Sequence, residues 1–201
     1  MGHAPYNSYD RYYSYDEENY RSPVQQQTDS TDGDKIVVGE TRTYTNDEAG
    51  ITFEYPDDWV SIELDDAWTI VMFADAPSGQ YSAWIEVSAE SSEYYTDDDL
   101  PAFTKEEAKA MFEGEFEEDL FTDLNITKVD TDTIDGYTVK VVTLTAVWKE
   151  DNAGLWYKYY YYIREGTLYR VEICSLASAQ TWYEPILEEI MASYKINASG
   201  S

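Results

Sequence analysis

Imidazole and thiol groups, which supply most bases, nucleophiles and soft metal ligands near neutral pH, are nearly absent from this 201-residue chain. The single histidine, His3, lies in an N-terminal tail, and the single cysteine, Cys174, follows Val171 and Ile173 in an apolar alternation. This alternation predicts that Cys174 is a small buried hydrophobe and not a reactive thiol. Ser-His-Asp, Cys-His and histidine-zinc chemistry are therefore excluded, and no glycine-rich phosphate loop occurs.

Carboxylates are the remaining candidates for catalysis, because 41 residues are Asp or Glu. Two carboxyl groups about 5 to 9.5 Å apart can act as an acid and a nucleophile or base on a glycan. Nothing in the sequence singles out one carboxylate whose pKa burial should raise. A carboxylate-dependent glycan hydrolase therefore stays open as an alternative, with no catalytic residue assigned.

Calcium binding is a second alternative, because two acidic segments could offer hard oxygen ligands. The spacing of the acidic residues in 130–136 is one residue off the EF-hand pattern, and no glutamate occupies the later position that the pattern requires. Asp135-Gly136 is better explained as a hairpin turn. The run Asp97-Asp98-Asp99 is interpreted as a solvated loop before a helix, where negative charge favours the helix dipole. We therefore expect no metal ion and no cofactor.

An aromatic strand at 156–162 offers the best candidate for partner binding. Strand alternation places Tyr157, Tyr159 and Tyr161 on one face and Trp156 on the other, so both faces are aromatic. One face must pack on a helix, whereas the other could present rigid rings with hydroxyls to a protein or glycan. Two interpretations stay open: tyrosines that cover the sheet with their hydroxyls at the water edge, or a binding face. The candidate partner-binding residues are Trp156, Tyr157, Tyr159 and Tyr161.

The charge balance excludes several partners. Thirteen basic and 41 acidic residues give a net charge of −28, which repels nucleic-acid phosphates and anionic lipid headgroups. A self-repelling soluble surface and adaptation to high salt both produce such a balance. The sequence contains no run of about 18 apolar residues, so we expect no direct membrane insertion within this chain.

The composition divides the chain into a tail and one domain. Residues 1–40 alternate tyrosine with Ser, Asn and Asp and lack aliphatic periodicity, which predicts a disordered linker that tethers the domain. Residues 41–197 can bury one core and are predicted to form a single domain. Residues 198–201 are predicted to be a flexible C-terminus.

The domain is predicted to alternate strands with two helices. A capping box at Thr104 and Glu107 marks the start of one helix, and a second helix is expected from Trp182 to Ser193. The residues expected to face the core from the second helix are Trp182, Ile186, Leu187, Ile190 and Met191. The run from Trp68 to Phe73 is typical of a strand buried on both faces.

Two hairpins, one across Asp135-Gly136 and one across 165–167, indicate antiparallel pairing. The strands and helices together predict an α+β fold, an antiparallel β-sheet with helices packed on it.

The segment Gly50-Ile51-Thr52-Phe53-Glu54-Tyr55-Pro56-Asp57-Asp58-Trp59 resembles the opening strand of PsbP-like domains. The closing pattern is also similar, with a hairpin across Gly166, a helix, Ser193-Tyr194 and a short strand through Ile196. The resemblance covers residues 42–196 and implies an α/β/α sandwich. It also implies a non-enzymatic domain that docks onto partners, tethered outside a bacterial cell.

The resemblance supplies no metal ligand or partner-contact residue that matches a position in this chain. The segment from Gly50 to Trp59, the linker-like tail and the missing catalytic residues together predict an extracytoplasmic binding domain of an anchored or secreted bacterial protein. Its expected partner is a protein or a cell-envelope component.

Overall fold

A computed structural model describes residues 39–64, 68–75, 82–91, 100, 104–116 and 120–196. Residues 1–38 of the predicted tail, the run Asp97-Asp98-Asp99 and the predicted C-terminus at 198–201 lie outside the described residues.

The described residues form strands in two antiparallel sheets together with two helices, which confirms the predicted α+β class. The strands are β1 (Thr41–Asn46), β2 (Ile51–Pro56), β3 (Val60–Ile62), β4 (Thr69–Ala74), β5 (Ala83–Ser91), β6 (Phe121–Ile134), β7 (Tyr137–Trp148), β8 (Ala153–Arg164), β9 (Thr167–Leu176) and β10 (Lys195–Ile196). The helices are α1 (Lys105–Glu115) and α2 (Gln180–Ser193), and a 3-10 turn (Ala177–Ala179) precedes α2. The large sheet has the order β3-β4-β5-β9-β8-β7-β6, and the small sheet has the order β1-β2-β10.

The large sheet is covered on both faces. On one face, Ile85 and Ile173 belong to a core cluster that includes Phe53 of β2 and Leu187 of α2. On the opposite face, a second cluster joins the sheet to Phe112 of α1. The domain is therefore a three-layer sandwich with α1 on one side and α2 plus the small sheet on the other.

The capping box predicted at the start of α1 is confirmed. The Glu107 backbone N–H donates to Thr104 Oγ1 at 3.2 Å, and the Thr104 backbone N–H donates to Glu107 Oε2 at 2.8 Å. These bonds satisfy amides that have no partner within the helix. Ala108 and Phe112 are fully buried, so the apolar stripe of the helix faces the sheet as predicted.

Both predicted hairpins are also confirmed. Asp135 and Gly136 have φ values of 49° and 86°, and Glu165 and Gly166 have φ values of 52° and 77°. Positive φ at both central residues matches the twist of two-residue hairpins. The Asp135 carboxylate also accepts a 2.8 Å hydrogen bond from the Ile196 backbone N–H, which ties the β6–β7 turn to the small sheet.

The predictions for two tryptophans are wrong. Trp182 was expected to face the core, but it is 38% exposed. At about 100° per residue it lies on the side of α2 opposite Met191, which is buried. Trp68 was assigned to a fully buried strand, but it precedes β4 and is 48% exposed.

Gly50 occupies a position that excludes a side chain. Its φ is +62°, and a Cβ atom there would lie 1.9 Å from Nη1 of Arg164. The buried Arg164 guanidinium donates from Nη1 to the Ala49 carbonyl at 2.6 Å, and the Tyr169 hydroxyl donates to the same carbonyl at 3.3 Å. Because Gly50 has no side chain, the β8–β9 hairpin can donate these hydrogen bonds to the carbonyl just before β2.

We predict that Gly50→Ala lowers the free energy of unfolding by about 2 to 4 kcal/mol, measured by urea denaturation. The loss combines an unfavourable positive φ with displacement of Arg164 from its buried acceptor. Gly136→Ala is the matched control, because Gly136 also has positive φ but no atom lies within 4 Å of its added Cβ. The control is expected to cost about 1 to 2 kcal/mol. Equal losses of stability in the two variants would contradict a stabilising contact of Arg164 at Gly50.

Candidate functional site

The predicted aromatic binding face is buried. Trp156, Tyr157, Tyr159 and Tyr161 are 4%, 0%, 0% and 5% exposed. Trp156 packs in the cluster under α2, and the three tyrosines pack in the cluster under α1. Both helices contribute to covering β8, so neither face of this strand is open, and this burial argues against direct partner contact through these rings.

The carboxylates of 130–136 are each engaged locally. Asp130 lies 2.6 Å from Lys128 Nζ and accepts from the Thr131 backbone N–H at 2.9 Å. Asp132 accepts from the Thr133 backbone N–H at 2.7 Å. Within the part of the chain that the structure describes, no group of three or more His, Cys, Asp or Glu side chains could hold a metal ion.

A carboxylate pair that the sequence analysis missed lies at the centre of the large sheet. Glu86 of β5 and Glu172 of β9 are direct cross-strand partners, and they are 3% and 2% exposed. Facing residues of antiparallel strands have Cβ atoms about 4.5 to 5.5 Å apart. The pair shares its face of the sheet with Trp84 and Cys174, which belong to the cluster under α1.

Side chains from several strands donate hydrogen bonds to the two carboxylates or form an ion pair with them. Trp84 Nε1 donates to Glu172 Oε1 at 2.9 Å, and Thr69 Oγ1 donates to Glu86 Oε1 at 3.3 Å. Arg170 Nη2 lies 3.7 Å from Glu86 Oε1. Arg170 Nη1 also lies 3.5 Å from Oε2 of Glu115, the last residue of α1. We call Glu86, Glu172, Arg170 and Glu115 the buried acidic cluster.

The cluster can hold a proton near neutral pH. Burial and the adjacent Glu86 carboxylate raise the pKa of Glu172 to about 7, against the opposing effects of Arg170 and of hydrogen bonds from Trp84 and Tyr159. Both causes favour the neutral acid, since isolating a charge from water and placing two like charges together are costly. Burial also raises the pKa of Glu115, which Arg170 partly opposes.

Burial also raises the pKa of two groups outside this cluster. Burial, reinforced by Glu172, raises the pKa of the Cys174 thiol well above its ordinary value. Cys174 is fully buried, which confirms its interpretation as a small core residue. Near the opposite face, burial raises the pKa of Asp75. The Asp75 carboxylate accepts hydrogen bonds from the Tyr183 hydroxyl, from the backbone amide of the first residue of β5 and from the amide just before it.

The three-layer architecture and the covered sheet define a class of small α+β sandwich domains. The sequence profile of the PsbP-like protein family matches residues 14–196, so this chain belongs to that family. The resemblance noted at Gly50 to Trp59 is thereby confirmed. Comparison with curated proteins gives no match.

Solved structures support the same fold. Cyanobacterial PsbP (CyanoP) from Synechocystis sp. PCC 6803 is 14% identical over 83% of this chain and 97% of that chain, with a TM-score of 0.63. LpqN, described as involved in cell envelope biogenesis of Mycobacterium tuberculosis, is 12% identical over 79% and 91%, with a TM-score of 0.54. Among the described residues, neither helix has the length together with the apolar composition that a membrane span requires.

We predict that stability decreases as pH rises from about 5 to about 8. The pKa of Glu172 is higher in the folded chain than in the unfolded chain, so its stabilising contribution is complete below the unfolded value and is lost as pH rises through about 7. The glutamine of Glu172→Gln stays neutral, so the thermal midpoint of this variant should change less with pH across this range. At pH 8 it should exceed the midpoint of the original chain by several degrees. Glu189→Gln, an exposed change on α2, should retain the slope of the original chain. A slope unchanged by Glu172→Gln would contradict the assignment.

Proposed function

We propose that this chain is a non-catalytic, extracytoplasmic binding domain of an anchored or secreted bacterial protein, and that its partner is a protein or a cell-envelope component. The observation that carries the non-catalytic part of the proposal is the burial of the carboxylate pair with the raised pKa. Glu86 and Glu172 satisfy part of the requirement for a glycan hydrolase, but a substrate cannot contact carboxyl groups that are 3% and 2% exposed.

The contacts of the pair support the same proposal. The hydrogen bonds from Trp84 and Thr69 and the ion pair with Arg170 already occupy carboxylate oxygens. The covering layer includes Phe112 and Phe116 of the α1 region, which pack against the tyrosines of β8. Opening this layer would expose a large apolar surface, which costs about 25 cal/mol per Å².

The family and its structural neighbours support an envelope location. The chain belongs to the PsbP-like family, and its structural neighbour LpqN is described as involved in cell envelope biogenesis. The net charge of −28 supports a hydrated domain that is repelled by nucleic acid and anionic lipid. A partner contacted in the envelope is consistent with both features.

Two exposed indoles supply contact points for such a partner. Trp182 lies on the outer side of α2 and is 38% exposed, and Trp68 lies before β4 and is 48% exposed. Tryptophan is enriched among the residues that dominate protein–protein binding energy, because its large ring buries much apolar area with few rotatable bonds. These residues, and not the aromatic residues of β8, are the contact points that we propose.

We predict that the full-length protein is degraded when intact cells of its own bacterium are treated with an added protease. An epitope fused to the C-terminus of the full-length protein should be lost, while a cytoplasmic marker protein stays intact. Lysed cells provide the control for protease sensitivity. Degradation only after lysis would contradict the extracytoplasmic location.

We further predict that purified chain is retained by envelope fractions of that bacterium, and that Trp182→Ala weakens retention about tenfold or more. Thr181→Ala, an exposed neighbour on the same helix, is the matched control and should bind like the original chain. Equal retention of both variants would contradict a contact at Trp182. Glycan release by the original chain that is lost in folded Glu172→Gln would overturn the non-catalytic proposal.

A further inference from the structure

Arg170 joins two layers of the domain through the buried acidic cluster. Its Nη2 lies 3.7 Å from Glu86 of the sheet, and its Nη1 lies 3.5 Å from Glu115 of α1. The Arg170 side chain is 25% exposed, and the side chains of Glu86 and Glu115 are 4% and 28% exposed. A single guanidinium is therefore divided between a carboxylate in the core and one at the end of a helix.

The cluster carries more negative than positive charge. Glu86, Glu172 and Glu115 bring three carboxyl groups, and Arg170 brings one cation. Two adjacent carboxylates in a site of low dielectric cannot both ionise without strong repulsion. One proton on the Glu86–Glu172 pair removes this repulsion and leaves Arg170 available to Glu115.

Within the described residues, further charged and titratable side chains of β5, β8 and β9 lie around the cluster. Glu90 of β5 acts on Glu115 with the same sign of charge, and thus adds to the repulsion. Tyr159 and Tyr161 of β8 and Cys174 of β9 also face the cluster. Burial raises the pKa of Tyr161 and of Cys174, so both stay neutral through the range in which the carboxyl groups titrate. Glu172, whose pKa is raised to about 7, is therefore the group that changes charge in this range.

We propose that the proton on the Glu86–Glu172 pair controls how firmly the C-terminal turn of α1 docks on the sheet. With the proton present, Arg170 bridges Glu86 and Glu115. When the proton leaves to solvent, the doubly charged pair draws Arg170 inward, and Glu115 loses its partner. The last turn of α1 then loosens from the sheet. This inference does not depend on the proposed function.

The anchors of the two helices explain why the effect is confined to α1. The N-terminal turn of α1 is held by its capping box and by Lys105 Nζ, which donates to the Thr127 carbonyl at 2.6 Å. Its C-terminal turn has Glu115 in the buried acidic cluster. Helix α2 packs on the opposite face, where Lys158 pairs with Glu188 and Tyr183 donates to Asp75. Loss of the proton therefore acts on one end of one helix.

Hydrogen–deuterium exchange of the full chain tests the proposal at about pH 5.5 and about pH 8.5, on either side of the pair's titration. After correction for the intrinsic pH dependence of exchange, amides in 110–116 should exchange about tenfold faster at the higher pH. Amides of 184–193 in α2 should keep their protection. Glu172→Gln and Glu115→Gln should each abolish the pH difference in 110–116. Glu113→Gln, which removes an exposed pair with Lys109 on the same helix, should retain it.

Equal protection of 110–116 at both pH values would overturn the proposal. A difference that persists in Glu172→Gln, or an equal loss of protection in both helices, would also overturn it. If Glu172→Gln does not fold, Glu86→Gln provides the second variant, since it removes the like charge from the same pair. A pH difference unchanged in folded Glu86→Gln would contradict control by the pair.

Discussion

Coverage of the large sheet on both faces is the constraint on which the rest of the structure depends. Most residues of the central strands β5, β8 and β9 are buried under one covering layer or the other, so an ionised group buried in these strands needs a partner inside the protein. This constraint explains why the β8 tyrosines pack under helices and do not form a surface. It also explains why Glu86 and Glu172, adjacent on β5 and β9, depend on Trp84, Thr69 and Arg170 for stabilisation.

The layers are connected by buried polar contacts at identifiable residues. Arg164 reaches from β8 past Gly50 to the Ala49 carbonyl, and Asp135 reaches from the β6–β7 turn to the amide of Ile196. These contacts attach the small sheet to the ends of two hairpins. The glycine in the segment that resembles PsbP-like domains thus has a physical role, because a side chain there would collide with the guanidinium.

Local sequence signals predicted the elements of the domain, because each rests on contacts a few residues apart. Thr104 with Glu107 predicted the start of α1, and Asp135-Gly136 predicted a hairpin with positive φ at both residues. Burial was predicted less well, because it depends on which elements cover each face. A glutamate that alternates with Ile85 and Val87, or with Val171 and Ile173, reads as the solvent side of a strand. Only the position of α1 shows that this side is closed.

Helices and the small sheet cover both faces of the large sheet, and a proton is retained on the buried Glu86–Glu172 pair; we propose that partners bind at the exposed surface. Site-resolved NMR titration of the glutamate side-chain carboxyl carbons tests this most directly, with Glu172→Gln used to assign the signal. We predict one carboxyl signal that titrates near pH 7 and is missing from the variant. Titration of every glutamate close to its ordinary pKa of about 4.3 would contradict it.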